Sequence, residues 1–263
     1  STLDQINTSN VDQLNMLWSF EPGLRDDIAQ VTPLVVDGVM YLHSRATMYA
    51  LDATTGEELW RRILDSGPAN GPVRGSTYAE GRVYAYRGAD LYAFDAETGA
   101  AVASFGDAGF LKVVAQGLHH QYPDTYPTDI DPITIGYRLT TPPTFHDGII
   151  YVAAALSEGH IPGGLVIAID ATTGAIQWVF NTIPQTPRDS GWELAQESWG
   201  TGARAGGGVW TPPAIDAQLR MVYVNAGNPS PDYDGSARVG ANLFSNSTIA
   251  IDMDTGKLRW HYQ

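Results

Sequence analysis

The sequence predicts an all-β fold built from repeated units, and three observations support that prediction. The pattern Asp-x-x-Thr-Gly, with a tryptophan four positions after the glycine, recurs along the chain, beginning at Asp52, Asp170 and Asp252 and ending at Trp60, Trp178 and Trp260. A further copy at 95–99 has Ala103 in place of the tryptophan. Each copy follows a short β-branched or aromatic run. Strand, tight turn and strand repeated in this way are typical of a radial or stacked β array.

The remaining strands of each unit are predicted by paired apolar runs around tight turns. Runs 33–36 and 39–42 flank Asp37-Gly38, and runs 144–146 and 149–152 flank Asp147-Gly148, which are strong hairpin signals. Glu80-Gly81 and the stretch 216–219 occupy the same place in two further units. We therefore expect four units of about four strands each, in one domain spanning residues 1–263. The repeated tryptophans are expected to fill the space between neighbouring sheets.

Composition bounds the class of protein. With 263 residues and 43% hydrophobic content, the chain can bury a large core. A formal net charge of -14 argues against attraction to nucleic acid or to anionic membranes. Zero cysteines exclude disulfides and thiolate chemistry. No apolar run is long enough for a membrane span, so the sequence predicts a soluble or already processed protein.

Two expanded stretches, 107–137 and 181–209, interrupt the regular spacing of the repeats. They are rich in Gly, Pro, Asp and Thr. Long insertions on a rigid array are usually functional loops, so we expect them to form the walls of a site.

Three residues are candidates for chemistry on the residue pattern alone. Trp210 follows the run Gly206-Gly207-Gly208, where the backbone permits close approach and the ring could face a flat ligand. Glu158 and Asn228 each follow a predicted strand and carry the oxygen donors that a hard cation prefers. Taken singly, each of these residues is more often architectural or a solvated loop residue.

The chain resembles the quinoprotein dehydrogenases that use pyrroloquinoline quinone (PQQ), a family of alcohol and aldose dehydrogenases. The resemblance runs from residues 4–7 and 17–20 to 260–263, and its most specific stretches are 209–212, 227–233 and 242–247. It implies a β-propeller of four-stranded antiparallel blades with docking tryptophans. The family propeller has eight blades, of which this chain would form about four.

The resemblance also implies roles for individual residues. Trp210 matches the platform under the quinone, and Glu158 and Asn228 match two ligands of a calcium ion. Further contacts to PQQ are implied for Arg74, Thr140, Ser157 and Gln30. These residue types suit a flat tricarboxylate, which needs a stacking surface, a guanidinium and hydroxyl donors.

The implied function is oxidation of a primary alcohol or an aldose by hydride transfer to PQQ. A calcium ion on the quinone acts as a Lewis acid in this reaction. Electrons would pass to a separate acceptor, a cytochrome or a quinone, and the location would be periplasmic or secreted.

The sequence departs from the family pattern in three ways that matter. The small residues that usually precede the calcium glutamate in the family are here Ala155-Leu156-Ser157, and the leucine alters the surroundings of that carboxylate. The family's alcohol dehydrogenases often carry a vicinal disulfide near the position of Pro68-Ala69, where this chain has no cysteine. The family's catalytic aspartate lies in a segment that follows the position of Gln263, so no catalytic residue is expected within this chain. We therefore expect a fragment, half of a split protein, or a half-ring completed by a second copy.

Other interpretations stay open at this point. Propellers with such repeats also serve as non-enzymatic scaffolds for protein assembly, and a four-bladed ring complete in itself is a third possibility. The sequence does not distinguish calcium from a lanthanide, nor does it identify the substrate.

Overall fold

The structure is a computed structural model that describes residues 4–23, 30–64 and 72–263. The Pro68-Ala69 position lies outside the described residues. No helix in the described ranges is long and apolar enough to cross a membrane.

Blades one and two are four-stranded antiparallel sheets whose strands follow chain order. Blade one contains β1 (Leu34–Val36), β2 (Val39–His43), β3 (Thr47–Asp52) and β4 (Glu58–Ile63). Blade two contains β5 (Thr77–Ala79), β6 (Arg82–Arg87), β7 (Asp90–Asp95) and β8 (Phe110–Leu111).

Blades three and four repeat this arrangement, with one short extra strand. Blade three contains β9 (Arg138–Leu139), β10 (Thr144–His146), β11 (Ile149–Ala155), β12 (Leu165–Asp170) and β13 (Ile176–Asn181), where β9 pairs with β11. Blade four contains β14 (Ala214–Asp216), β15 (Met221–Asn225), β16 (Thr248–Asp252) and β17 (Leu258–Tyr262). The predicted fold class, a β-propeller of four-stranded antiparallel blades, is confirmed.

The predicted insertions contain helices, which the sequence analysis did not anticipate. Helices α1 (Val113–Gln121) and α2 (Pro132–Ile135) lie in the first insertion, and α3 (Trp192–Ala195) lies in the second. Val113, Val114 and Leu118 of α1 belong to the core between blades two and three. The insertion therefore caps a core as well as forming surface.

The core lies between successive blades because neighbouring residues of each strand face opposite sides of the sheet. Val83 packs toward blade one, in a cluster with Trp60, whereas Tyr84 packs toward blade three, in a cluster with Ile150. A third cluster fills the space between blades three and four and includes Trp178 and Val222. Blades two and three thus bury both faces, whereas β17 of blade four leaves Trp260 43% exposed.

Two docking tryptophans, Trp60 and Trp178, connect blade one to the Asp-x-x-Thr-Gly turn of blade two and blade three to that of blade four. The indole Nε1 of Trp60 donates to the carbonyl oxygen of Ala96 at 3.0 Å, and its ring lies against Gly99. Trp178 makes the same bond to Met253 at 2.9 Å and covers Gly256. A side chain at either glycine would overlap the indole, and both glycines have a positive φ that the turn requires.

The turn of blade three is held differently, because Ala103 replaces the docking tryptophan of blade two. The carbonyl oxygen of Ala171 instead accepts from Tyr84 Oη at 2.8 Å and from Arg82 Nη1 at 2.9 Å. The N–H of Gly106 bonds to the carbonyl of Thr173 at 2.9 Å. Polar bonds from β6 and from the loop between β7 and β8 therefore replace the contacts of the indole.

Residues 17–20 do not pair as a strand within the described residues. Trp18 docks on blade one instead, with Nε1 3.2 Å from the carbonyl of Ala53 and its ring against Gly56. Phe20 packs edge-on against Tyr49 at a centroid distance of 5.1 Å. The segment therefore covers the face of blade one that points away from blade two.

The strand pairing distinguishes the two ends of each blade. In each antiparallel hairpin, the residues before the first strand and those after the second strand lie at the same end, as the pairing of Leu34 with Tyr41 illustrates. Asp52 pairs with Val39, so the Asp-x-x-Thr-Gly turns lie at the opposite end. We call the end at which the first strand begins and the second strand ends the site end. The first strands β1, β5, β10 and β14 also contact one another in succession, which brings their site ends together.

We expect Gly99→Ala to destabilise the protein far more than Gly38→Ala. Both glycines have positive φ, at +67° and +83°, so both substitutions carry a backbone cost of about 1–2 kcal/mol. A Cβ on Gly99 would lie 2.7 Å from the Trp60 ring, whereas nothing lies within 4 Å of one on Gly38. Overpacking should add roughly 1–3 kcal/mol at Gly99 alone. Denaturant unfolding measures the difference, and equal losses would contradict the docking role of the indole.

Candidate functional site

Four of the residues singled out in the sequence occupy equivalent positions in the four blades. Gln30, Thr140 and Trp210 each stand four positions before the first residue of β1, β10 and β14, respectively, and Arg74 stands three positions before the first residue of β5. These positions lie at the site end of the first strands of the blades, β1, β5, β10 and β14, which we call the inner strands. The repeat thus brings residues from distant parts of the sequence toward one place.

Arg74 contacts two other predicted site residues. Its guanidinium carbon lies 5.5 Å from the centroid of the Trp210 ring, and its Nη1 donates to the carbonyl oxygen of Thr140 at 3.0 Å. Trp210 is 51% exposed, so the indole has a face open to solvent. A cation and an exposed aromatic ring therefore lie side by side at the site end.

The backbone of Arg74 is fixed by a buried tyrosine. Its N–H donates to Tyr86 Oη at 3.0 Å, and the carbonyl of Gly75 lies 3.0 Å from His43 Nδ1. Burial raises the pKa of Tyr86 above its ordinary value, so the phenol stays protonated. The position of Arg74 is thus set by the blade rather than by its own flexible side chain.

Thr140 and Thr141 carry buried hydroxyls that make no hydrogen bond within the described residues. Thr140 is fully buried and Thr141 is 3% exposed, and neither Oγ1 has a partner there. A buried hydroxyl without a partner costs roughly 1–3 kcal/mol. Such groups are uncommon in folded proteins and often mark a place where a ligand supplies the missing bond.

Glycines allow three segments to meet beside Trp210. The N–H of Gly208 donates to Ser157 Oγ at 2.9 Å, and the N–H of Gly227 donates to the carbonyl of Gly208 at 2.9 Å. A Cβ on Gly227 would lie 2.8 Å from Ser157 Oγ and 3.7 Å from the Trp210 indole nitrogen. The loops after β11 and β15 are therefore held together through the Gly208 backbone.

Glu158 and Asn228 are the next residues along these two loops. Glu158 is exposed, within the 3-10 turn Ser157–Gly159, and Asn228 is half-buried. Asn228 Nδ2 donates to the Pro229 carbonyl at 3.2 Å and to Asp232 Oδ1 at 2.6 Å. The described part of the chain contains no cluster of three or more His, Cys, Asp or Glu able to hold a metal. A cation here would therefore be bound by the carboxylate oxygen atoms of Glu158 and the amide oxygen of Asn228, together with oxygen atoms of a bound molecule.

Gln30 differs from the other predicted site residues. It is exposed and makes no hydrogen bond within the described residues, so only its equivalent position links it to the cluster. Sequence reasoning assigned no role to Tyr86, Gly227 or Asp232. The glycine run at 206–208 signalled close backbone approach, but nothing in the sequence identified the partners.

The donor set fits PQQ and a hard cation. Trp210 offers a ring face, Arg74 a permanent cation, and Thr140 a hydroxyl that lacks a partner. A flat, carboxylated aromatic molecule satisfies all three. The amide and carboxylate oxygens of Asn228 and Glu158 suit a hard cation such as calcium.

We expect Ser157→Ala to reduce the free energy of unfolding and Ser230→Ala to leave it nearly unchanged. Both serines are buried, at 4% and 1% exposure. Ser157 Oγ accepts from the Gly208 N–H, whereas Ser230 Oγ has no partner in the described residues. Removing the acceptor leaves a buried N–H unpaired, at a cost of about 1–3 kcal/mol. Chemical denaturation tests the pair, and an equal response would show that the Ser157 bond does not hold the loop.

Comparison with known proteins identifies the family of the chain. Residues 1–263 match the family described as "PQQ: Glucose/ethanol/alcohol dehydrogenase, beta-propeller domain". The chain is 32% identical to a quinohemoprotein alcohol dehydrogenase from Comamonas testosteroni and 34% identical to the dehydrogenase subunit of an alcohol dehydrogenase (quinone) from Gluconobacter oxydans (strain 621H). In each case the match covers 100% of this chain, and it covers 37% and 35% of those proteins, respectively.

A solved structure supports the same conclusion. Quinohemoprotein alcohol dehydrogenase ADHIIG from Pseudomonas putida HK5 superimposes with a TM-score of 0.81 at 31% identity, covering 100% of this chain and 38% of that one. The chain thus spans little more than a third of the length of these relatives. Because the family match includes every residue, the chain belongs to the PQQ-dependent glucose, ethanol and alcohol dehydrogenases and represents part of their β-propeller domain.

Proposed function

We propose that this chain forms the PQQ- and calcium-binding part of a dehydrogenase that oxidises a primary alcohol or an aldose. The observation that supports it best is the cluster of Arg74, Trp210 and Thr140. A cation, an exposed indole and a buried hydroxyl without a partner lie together there at the ends of inner strands. An assembly scaffold has no need of that combination.

In this proposal the residues of the chain bind and orient the cofactor. Trp210 supplies the surface on which the flat ring rests, and Arg74 pairs with a carboxylate at the edge of that ring. Thr140 donates its hydroxyl to a second carboxylate, which completes its hydrogen bonding. Ser157 and Gln30 contribute further polar contacts. Because Arg74 is held by Tyr86 and by the Thr140 carbonyl, this geometry exists before the ligand arrives.

Glu158 and Asn228 hold the cation with their oxygen atoms. When bound, PQQ would supply a two-electron acceptor for hydride from the alcohol carbon, and a calcium ion held by Glu158 and Asn228 would supply Lewis-acid polarisation. The hydroxyl proton of the substrate has no assigned acceptor among residues 1–263. In this proposal the electrons pass to a separate cytochrome or quinone acceptor, and the protein works in the periplasm or outside the cell.

We expect Trp210→Ala to weaken PQQ binding strongly and Trp192→Ala to leave it unchanged. Trp192 is a matched control, because it also faces a guanidinium, that of Arg204 at 4.4 Å, but lies in α3. Loss of an aromatic contact worth about 1.5–3 kcal/mol raises the dissociation constant roughly 10- to 100-fold. Absorbance titration with PQQ in excess calcium measures both variants. No spectral change with the parent protein would instead favour a non-enzymatic scaffold.

Thr140→Val separates ligand binding from folding. Valine keeps the shape of threonine and removes the hydroxyl that lacks a partner, so the unliganded protein should be as stable as the parent or more stable. Loss of a hydrogen bond to a carboxylate, worth about 1.5–3 kcal/mol, should weaken PQQ binding roughly 10- to 100-fold. Thermal unfolding and the PQQ titration provide the two readings. Unchanged PQQ affinity would remove Thr140 from the site.

A further inference from the structure

Asn228 is held on one side by two hydrogen-bond acceptors. Its Nδ2 donates to the Asp232 carboxylate at 2.6 Å and to the Pro229 carbonyl at 3.2 Å. Its Oδ1 accepts no hydrogen bond from any residue in the described ranges. The amide therefore presents its nitrogen to the loop and keeps its oxygen available.

The carboxylate of Asp232 determines the orientation of the Asn228 amide. An ionised carboxylate and a backbone carbonyl can only accept, so the NH2 group of Asn228 must face both of them. The reversed amide would place Oδ1 against two oxygens that carry negative charge. The short distance from Nδ2 to Asp232 Oδ1 is typical of a charge-assisted hydrogen bond, which is stronger than a neutral one.

Asp232 is itself held in place by Arg238. The Arg238 guanidinium donates to the Pro231 carbonyl at 2.9 Å, to the Asp232 carbonyl at 3.2 Å and to Asn242 Oδ1 at 3.0 Å. Asn242 is 2% exposed, and its N–H donates to the Ser198 carbonyl at 2.8 Å. The loop that carries the carboxylate is therefore anchored in the second insertion rather than free in solvent.

The second oxygen of Asp232 adds charge beside the amide. Asp232 Oδ2 has no hydrogen bond within the part of the chain that the structure describes, and Arg238 contacts only the backbone of Asp232. Its negative charge is therefore not neutralised by a direct ion pair. A cation next to Asn228 would experience this charge as attraction.

We propose that Asp232 is a positioning residue for the cation site, an inference that rests on the proposed function. It turns the Asn228 amide so that Oδ1 faces the cation, and it adds a negative charge behind that ligand. Asp232 acts through Asn228, so its loss weakens the site without removing a ligand.

The test is a titration with terbium, followed by sensitised luminescence in the presence of saturating PQQ, with calcium as competitor. Asp232→Ala removes both the acceptor and the charge, and we expect it to lower terbium affinity about 10- to 100-fold. Asp232→Asn keeps an oxygen that can accept from Asn228, so its loss should be smaller. Asp234→Asn is the matched control, because Asp234 is exposed and bonds to the Ser236 N–H instead.

Two further readings separate a positioning role from a structural one. The loss in Asp232→Ala should be greater for terbium than for calcium, because attraction to a nearby charge grows with the charge of the ion. The unfolding temperature without metal should match that of the parent. If Asp232→Ala fails to fold, Asp232→Asn carries the same comparison.

The outcomes distinguish this inference from the proposed function. If Asn228→Ala and Glu158→Gln lose terbium affinity while Asp232→Ala behaves like Asp234→Asn, Asp232 has no positioning role and the proposed function stands. Unchanged affinity in all of these variants would eliminate the cation site itself, and the inference would fail with it. An equal loss for the two ions in Asp232→Ala would also overturn the electrostatic part of the inference.

Discussion

The contact between an indole and the next blade's glycine turn is the interaction on which the rest of the structure depends. In each case Nε1 donates to the carbonyl that follows the turn aspartate, and the ring covers the turn glycine, for Trp18, Trp60 and Trp178 alike. The hydrogen bond fixes the orientation of the indole, and the contact of its ring with the glycine fixes the distance between the tryptophan and the turn. Both contacts therefore constrain the angle between the two blades. Between blades two and three the bonds of Tyr84 and Arg82 to Ala171 replace the indole, and the first strands contact one another in succession across all three junctions.

The sequence was sufficient to predict this framework because its signals are local. A turn of Asp, Thr and Gly closes on itself: Asp95 accepts from the Thr98 N–H and hydroxyl, and these bonds lower the pKa of that carboxyl. The hairpin residues Asp37 and Gly38 both take the positive φ that their dipeptide predicts. Each signal spans a few residues, so it can be interpreted without knowing what packs against it.

The rest of the site depends on contacts between residues far apart in the sequence. Arg74 bonds to Thr140 and Gly208 bonds to Ser157, yet no local pattern specifies either partner. The family resemblance named most of these residues but gave no contacts between them. The helices of the insertions were missed for a related reason. Core residues on one face stabilise α1, whose sequence, with Gly117 and two histidines, is a weak helix former by itself.

The two halves of the site differ in how they are held, and this bears on how it would work. Arg74, Thr140 and Trp210 precede inner strands, so the packed blades preorganise the surface for a flat ring. Glu158 and Asn228 follow second strands on irregular loops, where the packing of the blades does not fix a side chain. Polar bonds must supply that order, through the Gly208 backbone on one side and through Asp232 and Arg238 on the other. In the proposed function, the affinity for the cation would depend on loop residues and the surface for the ring on the packed blades, because the two rest on different parts of the fold.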